Sequence, residues 1–161
     1  MKPERRLWEI LEQGRAGVEE ACSLFDALEP VEPQVMLGTW KGRELPTGHP
    51  LDGWLEKTGW YGKAFHNTEY VDPLLFRTPF GKPLALPPFP PGSVVNLLSG
   101  ARGAARLRKM EWRGKTSAVM VYDHLPIHDH FRKVNDDVLL GMMDWKGMKR
   151  PYFFLLARVY T

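Results

Sequence analysis

Beyond residue 104 the chain is a series of strand-length runs separated by very short turns, and any fold it adopts has to satisfy that rhythm. The runs 106–112, 116–123, 127–134, 138–145 and 152–160 are rich in Val, Met, Phe, Leu and Tyr, which suits a pleated, largely buried surface. Arg113-Gly114-Lys115, Leu125-Pro126, Asn135-Asp136-Asp137 and Lys146-Gly147-Met148 separate them. Connections this short force antiparallel pairing, because a parallel neighbour requires a long crossover. In the last run Phe153, Leu155, Ala157 and Val159 alternate with Tyr152, Phe154, Leu156, Arg158 and Tyr160. Both faces are mostly apolar, so both need cover.

Upstream, Gly38-Thr39-Trp40-Lys41-Gly42 sets an indole between two glycines, where helical sequence gives way to β-type sequence. Glycine in a strand marks a bend or a close approach of backbone, so Trp40 can turn inward and plug one end of a curved sheet. With this strand and one or two from the middle of the chain the total is about seven to nine, and such a sheet loses its edges most simply by closing into a barrel. Residues 4–28 read as two helices, with Leu7, Trp8, Ile10 and Leu11 on one apolar face and Val18, Ala21, Cys22, Phe25 and Leu28 on the next. Gly14 ends or bends the first helix; Pro30 and Pro33 stop the second and set an extended entry into 35–45. The expected organisation is one structural unit, a helical segment 1–33 packing on a β-barrel that spans 34–161. Between 46 and 100 the chain is rich in Pro, Gly and aromatics. A helical turn or two is expected at 51–57, extended segments at 59–65 and 69–77, and an apolar loop at 84–91, where Pro87, Pro88, Pro90 and Pro91 bar a central strand. That loop is expected over a core or at a cavity mouth.

Composition narrows the function. With 161 residues, 43% hydrophobic and 25% charged, the chain has the make-up of a folded protein. A formal charge of +3 does not supply the broad positive face that nucleic acid needs. Cys22 is the lone cysteine, which rules out an internal disulfide and a Cys-based zinc framework. The N-terminus begins with charged residues and lacks a signal-type apolar core, and no run is long enough to span a bilayer, so the expectation is a cytoplasmic protein.

Two resemblances attach to these motifs. Gly38 and Trp40 resemble the Gly-x-Trp of lipocalins, in which a late Arg stacks on the Trp; Arg158 is the match. Arg158 and Tyr160 also resemble the Arg-x-Tyr of fatty-acid-binding proteins, which implies a clamp on a ligand carboxylate; period two puts both on one strand face. These are calycin-type barrels. The nitrobindin-type haem barrels share the Gly-x-Trp-x-Gly opening, but their proximal His lies near the C-terminus and this chain has none after His130. More of the chain is similar to an uncharacterised bacterial and fungal family named for its N-terminal Gly-x-Trp-x-Gly motif and joined to a C-terminal domain of unknown function. Residues 38–50 resemble its first part, and residues 122–131 with 140–144 its second.

His128, His130 and Arg132 share one face of their strand, while Ile127, Asp129 and Phe131 share the other. A His-x-His pair on a strand can hold a metal, as in cupins, with His124 or Asp123 as a third ligand. No glutamate follows at the cupin spacing and no second such motif appears, so neither metal nor cofactor is expected. The leading expectation is therefore a mainly β, antiparallel calycin-like barrel with two N-terminal helices that carries or senses a small hydrophobic ligand, fatty-acid-like or otherwise lipophilic with a polar head. Trp40, Trp60, Tyr122 and Met142 would flank the ligand, and Arg132, Arg158 and Tyr160 would meet its head group. The alternative is a cofactor-free isomerase, hydratase or cyclase acting on an apolar substrate, with Asp123, His128, Asp129 and His130 as acids and bases. A module that pairs with a second copy through its apolar faces is the third class.

Overall fold

The computed structural model describes residues 1–85 and 103–161; most of the proline-rich 84–91 segment lies outside the described residues. Helix α1 (Pro3–Gln13) begins on a proline, whose missing N–H costs nothing in a first turn, and stops at Gly14, whose left-handed φ of 80° lets its N–H reach Ile10 O and Leu11 O. Helix α2 (Val18–Ala27) follows, with Glu19 and Glu20 at its positive end. The extended entry expected from residue 35 is instead a 3₁₀ turn, Pro33–Met36, because the fixed φ of proline suits a first helical turn. Strand β1 (Gly38–Glu44) then runs to a loop carrying the short helix α3 (Trp54–Lys57).

Strands β2 (Trp60–Phe65), β3 (Val71–Phe76), β4 (Leu84–Ala85), β5 (Ala105–Trp112), β6 (Lys115–Tyr122), β7 (Ile127–Lys133), β8 (Val138–Trp145) and β9 (Tyr152–Arg158) complete the sheet. Its order is β2-β1-β9-β8-β7-β6-β5-β3-β4, and a further β2–β3 pairing closes it. The result is an antiparallel barrel of eight strands, with β4 appended to β3. The five late runs pair as the short turns require, and β9 meets β1, with Trp40 opposite Arg158.

Side chains segregate as period two demands. Inside, Met36, Trp40, Phe65, Leu107, Met120, Phe131, Leu139, Phe154 and Leu156 form one cluster. Outside, Leu140, Met142, Phe153 and Leu155 of β8 and β9 pack on Leu7, Ile10, Leu24 and Phe25 of the two helices. The helices are thus the cover that the doubly apolar last strands call for. No helix among the described residues is long and apolar enough to cross a membrane.

Candidate functional site

One end of the barrel is filled and the other is hollow. At the filled end Trp40 is fully buried, its Nε1 donates to Met36 O at 2.7 Å, and the Arg158 guanidinium stacks 4.2 Å from its ring centroid. Towards the opposite end lies a cavity of about 180 Å³, lined by residues that include Leu51, Trp54, Trp60, Leu74, Met143 and Phe154. The lining comes from β2 and β3, the N-terminal parts of β7 and β9, the C-terminal parts of β6 and β8, and the α3 segment above them. Trp54 is 47% exposed, which puts it at the rim.

α3 is pinned over the hollow by a buried carboxylate. Glu44, at the end of β1, accepts the Tyr152 hydroxyl and the backbone N–H groups of Gly53 and Glu56. Burial and the Glu44 carboxylate together push the Tyr152 hydroxyl well above the usual phenol range, so it serves as a donor.

In the apolar wall stands an ion pair. Lys63 Nζ lies 3.1 Å from Asp129 Oδ2 and donates to Pro73 O at 3.0 Å; the two side chains are 3% and 2% exposed. Three rings surround the ammonium, with centroids at 5.1 Å for Phe154, 5.8 Å for Trp60 and 5.9 Å for Tyr122. Burial draws the Lys63 pKa down and pushes that of Asp129 up, while their mutual attraction opposes both shifts. Burial, and then the Asp129 carboxylate, push the Tyr122 hydroxyl up as well. Asp129 Oδ1 has no hydrogen-bond partner among the described residues. A lone buried polar atom of this kind is costly, and here it belongs to a side chain that lines a cavity. Chemically, the wall can donate from Lys63 or Tyr122 and accept at Asp129.

Of the residues singled out from sequence, Trp60, Tyr122 and Asp129 line this cavity. The others do not. Arg158 and Tyr160 sit at the filled end, because β9 runs the length of the barrel and only its first residues, Tyr152 and Phe154, reach the hollow. Arg158 is held by Trp40 and by Val35 O at 2.9 Å, and Tyr160 is 75% exposed with its hydroxyl donated to Asp137. Arg132 is fully buried on the outer face; it donates to Trp112 O at 2.7 Å and lies 4.4 Å from the Phe25 ring centroid of α2. Met142 points out beneath the helices, and its neighbour Met143 lines the cavity instead.

Of the four acid–base candidates only Asp129 reaches the cavity, and only His128 and His130 lie next to each other. Asp123 pairs with Arg106 at 2.7 Å. His128 and His130 lie on the outer face, opposite Asp129, as strand alternation requires. His130 stacks on Trp112 with ring centroids 4.5 Å apart, and burial, followed by the nearby His128 and Arg132, brings its pKa down to about 3. The sequence reading missed Lys63. Its signal was a lone cation two residues before Phe65, on the same strand face, in a run that also holds Trp60 and Tyr61.

This geometry defines a class: a closed antiparallel β-barrel with an apolar cavity towards one end and a buried charge pair in the cavity wall. Residues 23–81 match the family described as GXWXG protein, and residues 103–158 match the domain of unknown function DUF4334. A crystal structure of a protein from Thermomonospora curvata is 40% identical, with 99% of this chain and 100% of that chain covered and a TM-score of 0.83. The chain belongs to the GXWXG family with a C-terminal DUF4334 domain. No curated protein matches it.

Proposed function

We propose that the protein is a carrier or sensor for a small, mainly apolar molecule bearing one hydrogen-bonding oxygen, held at the Lys63–Asp129 wall of the barrel cavity. The observation that carries this reading is the combination of a largely apolar lining with a buried ion pair whose Asp129 Oδ1 lacks a partner among the described residues. Apolar cavities with a few convergent polar groups are the usual form of a small-molecule site. Size supports a compact ligand, since 180 Å³ somewhat exceeds the roughly 150 Å³ that admits benzene. A single ring or a short chain fits better than a whole long-chain fatty acid. In this reading the head-group role expected of Arg132, Arg158 and Tyr160 passes to Lys63, Tyr122 and Asp129. The lone Cys22 is in keeping with a reducing cytoplasm.

The test compares methylcyclohexane with cyclohexylmethanol by calorimetric titration. The alcohol is expected to bind more tightly to the natural chain, and the double variant Lys63→Met, Asp129→Leu to lose that preference while still binding the hydrocarbon. Equal affinities in the natural chain would overturn the reading. A second reading, cofactor-free acid–base catalysis, is favoured by the proximity of Asp129 to Tyr122 and Lys63, with Asp129 rather than the histidines as the proton acceptor. It would require turnover that Asp129→Asn abolishes.

A further inference from the structure

The outer face of β7 and β8 carries a second cluster, separate from the cavity. In the β7–β8 ladder His128 stands opposite Asp144, and His130 lies two residues along from His128. Alternation therefore turns His128, His130 and Asp144 to the same side of the sheet, away from Asp129. One ligand-type atom from each lies within 4.8 Å of the other two. The His128 and His130 rings are 6.1 Å apart and nearly perpendicular, at 79°. Such an arrangement allows two imidazole lone pairs to converge without the rings colliding.

Two further observations set this cluster apart from an ordinary group of surface histidines. His130 is only 1% exposed, and its Nε2 is buried without a hydrogen-bond partner among the described residues. A buried imidazole nitrogen with no partner is unusual, because leaving it so forfeits the hydrogen bonds it would make in water. Its ring is also fixed in place by face-to-face stacking on Trp112, so the orientation is set before any ligand arrives. By contrast, His128 and Asp144 are half-buried, with solvent on one side into which a rotamer can shift. They can close the remaining distance to the roughly 2.0–2.2 Å that zinc requires.

We propose that His128, His130 and Asp144 form a mononuclear site for a divalent transition metal of the zinc type. Two imidazoles and one carboxylate are a borderline donor set, suited to Zn²⁺ or Co²⁺ and poor for Ca²⁺ or Mg²⁺, which take all-oxygen shells. Three protein ligands leave a further position for water, the arrangement of an open site rather than a closed structural one. The bond runs from β7 to β8 across the ladder, so the ion fastens together the two strands that present Asp129 and Met143 to the cavity on the reverse side. Sequence spacing alone offered Asp123 or His124 as the third ligand; the ladder offers Asp144, 14 residues beyond His130 by the numbering.

The experiment uses the full chain, stripped with a chelator and titrated with Zn²⁺ in competition with a chromophoric chelator. Co²⁺ is then added separately to read the coordination by visible absorption. One equivalent of Zn²⁺ is expected, together with the intense ligand-field bands of a four- or five-coordinate Co²⁺ ion. His128→Ala and Asp144→Asn, both at half-buried positions, are each expected to weaken Zn²⁺ by at least roughly tenfold, since even outer-shell partners cost that much. Circular dichroism of the stripped variants confirms that they are folded. Less than one equivalent bound, Co²⁺ bands of a purely hydrated ion, or folded variants that bind as tightly as the natural chain would each overturn the proposal.

Discussion

A Cβ on Gly42 would stand 2.2 Å from the six-membered ring of Trp60, while Gly38 holds φ at +118°, a conformation that side chains avoid. The two glycines of the family motif are thus required for different reasons, one by a ring that rests on it and the other by its own backbone. Trp40 between them is explained by its pairing with Arg158 at the filled end. This end was legible in the sequence as one of two roles offered for Arg158, the stack on Trp40. The other, an Arg-x-Tyr clamp, does not reach the hollow, because a spacing of two fixes the face of a strand and says nothing about the level along the barrel. Arg158→Ala is expected to lower the unfolding free energy by about 0.5–2 kcal/mol, the worth of a cation–π contact, and to leave binding of cyclohexylmethanol unchanged. Urea melts and calorimetry read the two effects separately. A tenfold loss of binding would return Arg158 to a ligand role.

Strands β7 and β8 show why the cavity wall was harder to read than the fold. The sequence places His128, His130 and Arg132 opposite Ile127, Asp129 and Phe131, and the strand obeys. Yet both faces of β8 are apolar, since helices cover one and the barrel interior lies behind the other, so nothing in the pattern told Met142 from Met143. In β2 the difficulty is local: counting by two from the inward Trp60 turns Lys63 outward, and only the register shifts on either side of Gly62 bring it to the inner face with Phe65. The Lys63–Asp129 pair joins β2 to β7 across the barrel, and its energetics follow from burial. Removing one partner of a buried pair costs about 3–5 kcal/mol, whereas replacing both with apolar side chains is often neutral or stabilising. Lys63→Met alone is accordingly expected to destabilise strongly, and Lys63→Met with Asp129→Leu to recover most or all of that loss in urea denaturation. A double variant as unstable as the single one would show that the charges are not coupled.

Closure of the whole sheet followed from a count of strands and a need to remove edges, and the barrel delivers it through the β9–β1 and β2–β3 pairings. What no residue count conveys is how much of the interior remains empty. Bulky side chains such as Trp40, Phe65, Phe131 and Leu139 fill one end, and the hollow left at the other is small, at about 180 Å³. Capacity is therefore a property of the complete molecule and can be measured as one. In a series of straight-chain alcohols, each methylene that enters an apolar cavity gains about 0.8 kcal/mol. The series is expected to climb at that slope while the chain is enclosed. Once the hollow is full, further carbons must pass the rim at Trp54, itself 47% exposed, and the slope is expected to fall towards zero. Calorimetric affinities from butanol through dodecanol would show the break, and its position reports the enclosed volume directly. A slope that continued undiminished to the longest member would mean that the binding space exceeds this hollow and that long acyl chains are within its reach.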